Sequence, residues 1–211
     1  MPAIDQAQRD TSRTTAPLYI DVAYATISFA STTIWSILSG WMLYFYLPPS
    51  GGALVPPAFY GVVVFAARLI NALLAAPIGA LSDRTRSRWG RRLPYMFVSA
   101  LPMLALFVAI WTPPVQGASV WNLVYLAVVF VLYNIAYSAN QITYTALLPE
   151  LAETDPHRVR ISAWSSSFFL FGMIAGGLVG MLIERMGYAK TALVYAGAVL
   201  PLFYIPLPVL K

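Results

Sequence analysis

The 211-residue chain is 59% hydrophobic and only 10% charged, with a mean hydropathy of +0.70, which excludes a soluble globular domain. Thirteen Lys and Arg against eight Asp and Glu leave a net charge of +5. The basic residues sit in short segments between apolar runs, so they point to a membrane surface and exclude nucleic-acid binding. With no cysteine, the chain has no disulfide, thiolate nucleophile or cysteine metal site.

A helix of about 20 apolar residues crosses roughly 30 Å of hydrocarbon. The sequence therefore predicts an all-α membrane protein: a polar, disordered cytoplasmic tail over 1–16, then one six-helix bundle over 17–211. The spans fall at about 18–47, 58–82, 93–112, 120–148, 161–183 and 191–210. Arg9 and Arg13 in the tail are not followed by a cleavage pattern, so the tail does not read as a signal peptide.

In the first span Asp21 lies near the mouth. Tyr24, Ser28, Ser31, Thr32, Trp35 and Ser39 recur at helical spacing and form a polar and aromatic stripe. The stripe suits a lined cavity; the competing reading is hydrogen bonding between helices. An uncharged loop of prolines and glycines follows, expected on the outside. The second span carries Arg68 and Asn71 near its middle. A guanidinium there costs at least ~2.5 kcal/mol on insertion, so it must face protein or water. It serves either a solute path or a clamp between helices. Ala72, Ala76 and Ala80 offer a close-packing edge, and Pro77 a kink.

Between spans two and three lies the densest charge in the chain, Asp83, Arg84, Arg86, Arg88, Arg91 and Arg92. Neither flanking run can hold it in lipid, so this loop lies in water, and a short loop so rich in arginine stays cytoplasmic. Gly79 permits close helix approach, Gly90 a turn, and Pro94 opens the next helix. Span three has no polar centre and reads as bundle support. Span four presents Tyr133, Tyr137, Gln141 and Tyr144, flanked by Asn134, Asn140, Thr143 and Thr145. Neutral donors and aromatic rings suit hydroxyl-rich or amphipathic ligands, although a core tyrosine ladder would share the pattern.

Pro149 to Arg160 is a second charged segment on the same side, holding Glu150, Glu153, Asp155, His157 and Arg158. A lone loop histidine without a metal-ligand companion reads as solvated. Gly172, Gly176, Gly177 and Gly180 make two small-xxx-small repeats in span five. An outer turn with Glu184, Arg185, Gly187 and Lys190 leads to span six, broken by Pro201, Pro206 and Pro208. Ten basic residues (Arg9, Arg13, the loop five, Arg158, Arg160 and Lys211) then fall on the cytoplasmic side and two outside, which places both termini in the cytoplasm. No paired carboxylates, histidine cluster or Ser/His/Asp set lies at one depth, so the sequence suggests no enzyme, metal or cofactor.

Gly79-x-Leu81-x-Asp83-Arg84, followed after an insertion by Gly90-Arg91-Arg92, resembles the loop between helices 2 and 3 of the major facilitator superfamily. The fuller string Asp-Arg-Thr-Arg-Ser-Arg-Trp-Gly-Arg-Arg-x-Pro-Tyr, with Ala146-Leu147-Leu148-Pro149-Glu150-Leu151 at the end of helix 4, resembles the glycoside-pentoside-hexuronide:cation symporters, the melibiose-symporter-like family. The resemblance implies the N-terminal half of that fold, two three-helix inverted repeats. It implies a plasma-membrane carrier working by alternating access with a second six-helix bundle. Its partners are then lipid and a small polar or amphipathic solute.

Matching through the loop places Asn71 and Ala75 where the family has its cation-binding carboxylates. Rougher matches place Thr32 and Gln141 at the acidic sugar-binding positions, and Ser166 or Ser167 at an arginine; Arg68 keeps its family residue. Sodium wants a cage of oxygens with negative charge, and proton coupling wants a titratable group. The matched midplane positions offer neither. The expected solute path comprises Thr32, Trp35, Arg68, Asn71, Tyr137, Asn140, Gln141, Tyr144 and Ser166. The expected cytoplasmic gate comprises Gly79, Asp83, Arg84, Arg88, Gly90, Arg91, Pro149 and Glu150. The competing reading of the same faces is a membrane scaffold or degenerate transporter fragment that moves nothing.

Overall fold

Among the described residues, apolar runs bounded by proline and charge become seven helices: α1 Leu18–Tyr46, α2 Pro57–Arg84, α3 Leu93–Ile110, α4 Val120–Leu151, α5 Asp155–Gly177, α6 Gly180–Met186 and α7 Tyr188–Tyr204. This computed structural model describes residues 17–210 apart from 86, 89 and 153. The expected tail over 1–16, and Arg86, Trp89, Glu153 and Lys211, lie outside the described residues. Among the described residues there is no strand.

α1 to α4 and the combined segment Asp155–Met186 are each long and apolar enough to cross a membrane. α7 has 17 residues, about 25 Å of helix, and turns carry the chain on to Leu210. Prolines open α2, α3 and α5 in their first turn, where the missing N–H costs nothing. Ser119 caps α4, its Oγ accepting from the Trp121 N–H at 3.2 Å.

The principal contacts run between two triplets, α1–α2–α3 and α4–α5/α6–α7, and they are reciprocal. α1 packs on α5 while α4 packs on α2; α4 packs on α3 while α1 packs on α7. α3 and α7, the third members, meet each other. The core between them is built from Ile27, Ile34, Met96, Phe107, Leu126 and Phe203, all essentially inaccessible.

α2 and α5 are left as outer helices. Tyr60, Ala67 and Ser82 are the buried positions of α2, and Ile161, Gly172 and Gly176 those of α5.

α5 reaches α1 through glycine. A Cβ on Gly172 would lie 2.7 Å from the Phe29 carbonyl oxygen, and one on Gly176 2.7 Å from Ser36 Cβ. One on Gly180 would meet the Trp41 ring at the same distance. Gly177, counted with them by spacing, has nothing within 4 Å and faces outward.

Other expectations from the sequence are corrected. Ala72, Ala76 and Ala80 are exposed, because α2 meets α4 through the opposite face, with Ala67, Asn71 and Gly79. Pro149 does not end α4, nor does Pro201 break span six. Each sits near the C-terminal end of its helix, and the turn closes with Ala152 N–H to Leu148 O at 3.0 Å and Ile205 N–H to Pro201 O at 2.8 Å. Glu184 and Arg185 belong to helix α6, so the chain reverses at Gly187 alone, where φ is +80°.

Candidate functional site

Two crevices open on the face that α1, α2, α4 and α5 share. The first, about 210 Å³, lies at mid-depth between α1, α2 and α4. Trp35, Ser39 and Met42 of α1, Tyr60, Val64 and Arg68 of α2, and Phe130, Tyr133, Asn134 and Tyr137 of α4 line it. The spacings of three and four place each set on one helical face. Phe130, Tyr133 and Tyr137 form a ladder of near-parallel rings, with centroids 6.3 and 5.9 Å apart. The Tyr133 hydroxyl is buried with no hydrogen-bond partner among the described residues. No hydrogen bond or ion pair among the described residues engages Arg68. The described carboxylates, Asp21, Asp83, Glu150, Asp155 and Glu184, all sit near helix ends.

The second crevice, about 400 Å³, lies nearer the arginine loop between α1, α4 and α5. Its walls include Tyr24, Ser28, Tyr144, Ser162, Ser165 and Ser166. Tyr24 stacks on Tyr144 with centroids 4.3 Å apart, and its hydroxyl donates to the Tyr144 carbonyl at 3.3 Å. The Tyr144 hydroxyl lies 3.2 Å from Ser165 Oγ, and Ser28 donates to the Ser165 carbonyl at 3.3 Å.

Of the residues expected along a solute path, Trp35, Arg68 and Tyr137 meet in the first crevice, and Tyr144 and Ser166 in the second. Gln141 stands one turn beyond Tyr137 with its Oε1 buried and unpartnered among the described residues. Asn71 Oδ1 accepts from Ser138, tying α2 to α4. Thr32 and Asn140 stand outside both crevices. Thr32 is 5% exposed and packs at Gly172 in the α1–α5 seam. Asn140 donates to Met96 O at 3.3 Å and Ser99 Oγ at 3.2 Å on α3.

The arginine loop is clasped to the end of α4. Glu150 Oε1 receives Arg91 at 3.0 Å and Arg92 Nε at 2.8 Å, and Arg92 reaches Asp83 at 3.4 Å. Arg92, only 13% exposed, is the hub, although its position in a run of arginines does not set it apart. Arg84 closes α2, while Arg88 and Gly90 (φ +88°) line a crevice beside Glu150. Thr85 Oγ1 and the Tyr95 hydroxyl, 2.6 Å apart, pin the loop's start to α3.

Two sites escaped the sequence reading. Asn122, fully buried, accepts from Val115 N–H at 3.1 Å and donates toward the carbonyls of Leu54, Val115 and Gly117 at 2.8–3.1 Å, joining the two loops opposite the arginine end. The other overturns the solvated reading of His157. That ring lies in α5, 10% exposed, with Nε2 2.8 Å from Asp21 Oδ1. Arg160 Nε meets Asp21 Oδ2 at 2.5 Å, and Asp21 is wholly buried. An aspartate in the first turn of an apolar helix demands such partners; that demand was the available signal.

Residues 23–209 match the family described as MFS/sugar transport protein. The chain belongs to that family. Among its MFS relatives, the uncharacterized symporter sll1374 of Synechocystis is 32% identical over 167 residues, 77% of this chain and 30% of that protein. The inner membrane symporter YicJ of Escherichia coli is 27% identical over 181 residues, 84% of the chain and 38% of YicJ. The isoprimeverose transporter of Lactiplantibacillus pentosus is 28% identical over 140 residues, 66% of the chain and 28% of the transporter. The chain thus spans about a third of the length of these curated relatives. The symporter resemblance carried by the arginine loop is borne out at the level of the family. The MFS fold also accounts for the reciprocal packing of two helix triplets. Members of this family are multi-pass membrane transporters of small solutes, not enzymes.

Proposed function

We propose that the chain is the N-terminal half of a secondary active transporter, moving a small polar or amphipathic solute by alternating access. A second six-helix bundle, from further sequence or another chain, would close the path. The observation that carries this reading is Arg68, a guanidinium at mid-depth facing an aromatic crevice, engaged by no carboxylate among the described residues. Charge at that depth is costly, and a hydrated passage is the setting in which a chain retains it. The uncovered faces of α2 and α5 support the second bundle, since exposed Ala72, Ala76 and Ala80 let another helix approach closely. The relatives' names, symporter and isoprimeverose transporter, favour a glycoside-like solute with a coupling cation. The excess of basic residues at the arginine-loop end favours a plasma (inner) membrane location with both termini cytoplasmic. The activity is carriage, without bond-making chemistry.

The test is uptake of a panel of labelled glycosides, isoprimeverose among them, by proteoliposomes holding the protein expressed from its complete reading frame. Arg68→Ala should abolish uptake while leaving the gel-filtration profile unchanged. Unaltered uptake would refute the reading. Loss of assembly instead would make Arg68 a clamp and favour a scaffold.

A further inference from the structure

We propose that the Asp21–His157–Arg160 cluster, where α1 and α5 meet at the arginine-loop end, binds a proton and so makes the second crevice sensitive to pH. The assignment rests on the transporter reading above and adds a pH-sensitive control of one of its crevices.

Asp21 is the only fully buried carboxylate among the described residues, and His157 is the only histidine in the chain. Both oxygens of Asp21 are taken, Oδ1 by His157 at 2.8 Å and Oδ2 by Arg160 at 2.5 Å. That occupancy decides which cation the site accepts. Sodium needs a cage of free oxygens, and here each oxygen already faces a nitrogen, one of them on a guanidinium that repels metal cations. No set of three or more metal-binding side chains exists among the described residues. A proton needs only a lone pair. With Nε2–H donating to Asp21, the lone pair of Nδ1 is that acceptor, on a side chain that is 10% exposed. The proton comes from water at the arginine-loop side and forms an N–H bond. The hydrogen bond between His157 and Asp21 becomes an ion pair, and the cluster goes from net neutral to +1.

Among the described residues, the neighbouring charged and titratable groups have partners or positions of their own. From α4, Glu150 is engaged by Arg91 and Arg92, and the Tyr144 hydroxyl by Ser165. On α5, Arg158 bonds the Ala152 carbonyl at 2.9 Å and faces Asp155 at 4.0 Å. From α7, which also packs on α1, the one charged residue is Lys190, in the first turn at the opposite end; Glu153 lies outside the described residues. On α1, Tyr24 follows Asp21 by one turn and stacks on Tyr144. Ser162, Ser165 and Ser166 begin within one or two turns of Arg160. A change in the cluster's charge therefore acts directly on the walls of the second crevice.

The absence of cysteine and the single histidine make the test specific. Ser166→Cys places a lone thiol in the crevice, and its labelling rate by a methanethiosulfonate reagent is compared in His157 and His157→Gln backgrounds. The comparison cancels the thiol's own titration. The ratio of the two rates should change at least about threefold between about pH 5 and 8, the range in which histidine as a residue type changes charge. Asp21→Asn, which keeps the side-chain shape, should flatten the change. In the unmutated protein, ¹⁵N-histidine NMR should show the single imidazole gaining a proton at Nδ1 as the solution is acidified. A ratio independent of pH, or an imidazole signal fixed throughout, overturns the proton site. Either result leaves the carrier reading standing, because that reading turns on Arg68 and glycoside uptake.

Discussion

Replacing Gly176 with alanine tests how tightly α5 is held to α1. The added Cβ would sit 2.7 Å from Ser36 Cβ and 2.9 Å from the Thr33 carbonyl oxygen, while ordinary contact begins at 3.4 Å. The shortfall is about 0.7 Å, and backbone stands on one side, so the helices must part by roughly that amount. Two interhelical hydrogen bonds cannot survive it. Ser36 Oγ to Met173 O is already 3.4 Å and Ser28 Oγ to Ser165 O 3.3 Å. Overpacking costs about 1–3 kcal/mol, and each lost interhelical bond about 0.6 kcal/mol more. Gly172→Ala should cost a similar amount, with the Phe29 carbonyl at 2.7 Å. Gly177→Ala is the internal control, since its Cβ meets nothing within 4 Å and alanine is the better helix former. Thermal unfolding in detergent, followed by the loss of the monodisperse gel-filtration peak, should lower the midpoint for Gly172→Ala and Gly176→Ala and spare Gly177→Ala. Equal effects at Gly176 and Gly177 would refute the close-contact argument.

Asn122→Leu should destabilise by about 1–3 kcal/mol, because the buried groups of two loops lose their shared partner; the same unfolding assay reads it. Arg91→Ala should change stability by less than about 1 kcal/mol, since that side chain is 55% exposed and solvent screens its pair with Glu150. Arg92→Ala should cost more, as its 13%-exposed guanidinium serves both Glu150 and Asp83. Comparing the two variants at low and high salt checks this ranking. Arg68→Ala is expected to remove glycoside uptake without moving the unfolding midpoint, which the paired transport and melting measurements decide.

Several helix limits were legible because they are chemical: prolines at 57, 94 and 156 open α2, α3 and α5, and the charged residues Arg84 and Glu150 mark the ends of α2 and α4. The glycine contacts of α5 followed from a four-residue repeat, but which glycines touch α1 depends on the seam's direction, and Gly177 falls off it. The polar stripe of α1 was visible as a stripe. Its division was not, because α5 covers Thr32 at Gly172 while Trp35 stays open to the crevice, and a helix far along the chain decides which happens. Asn140 and Gln141 are adjacent and equally polar, yet one turns to α3 and the other does not. The Asp21–His157 contact spans 136 residues and two different helices, so spacing along either helix carries no trace of it.

The reciprocal contacts of the two triplets bear on biogenesis. As the ribosome extrudes the chain, α1 enters the bilayer early but meets its main companion only after the glycines of α5 have been made, and α2 must wait for α4. Until then α1 exposes Asp21 without its counter-charges and Thr33, Ser36 and Ser28 without α5 against them, in a setting where unescorted polarity is penalised. α1 and α2 therefore carry faces that stay unmatched until α5 and α4 have been translated.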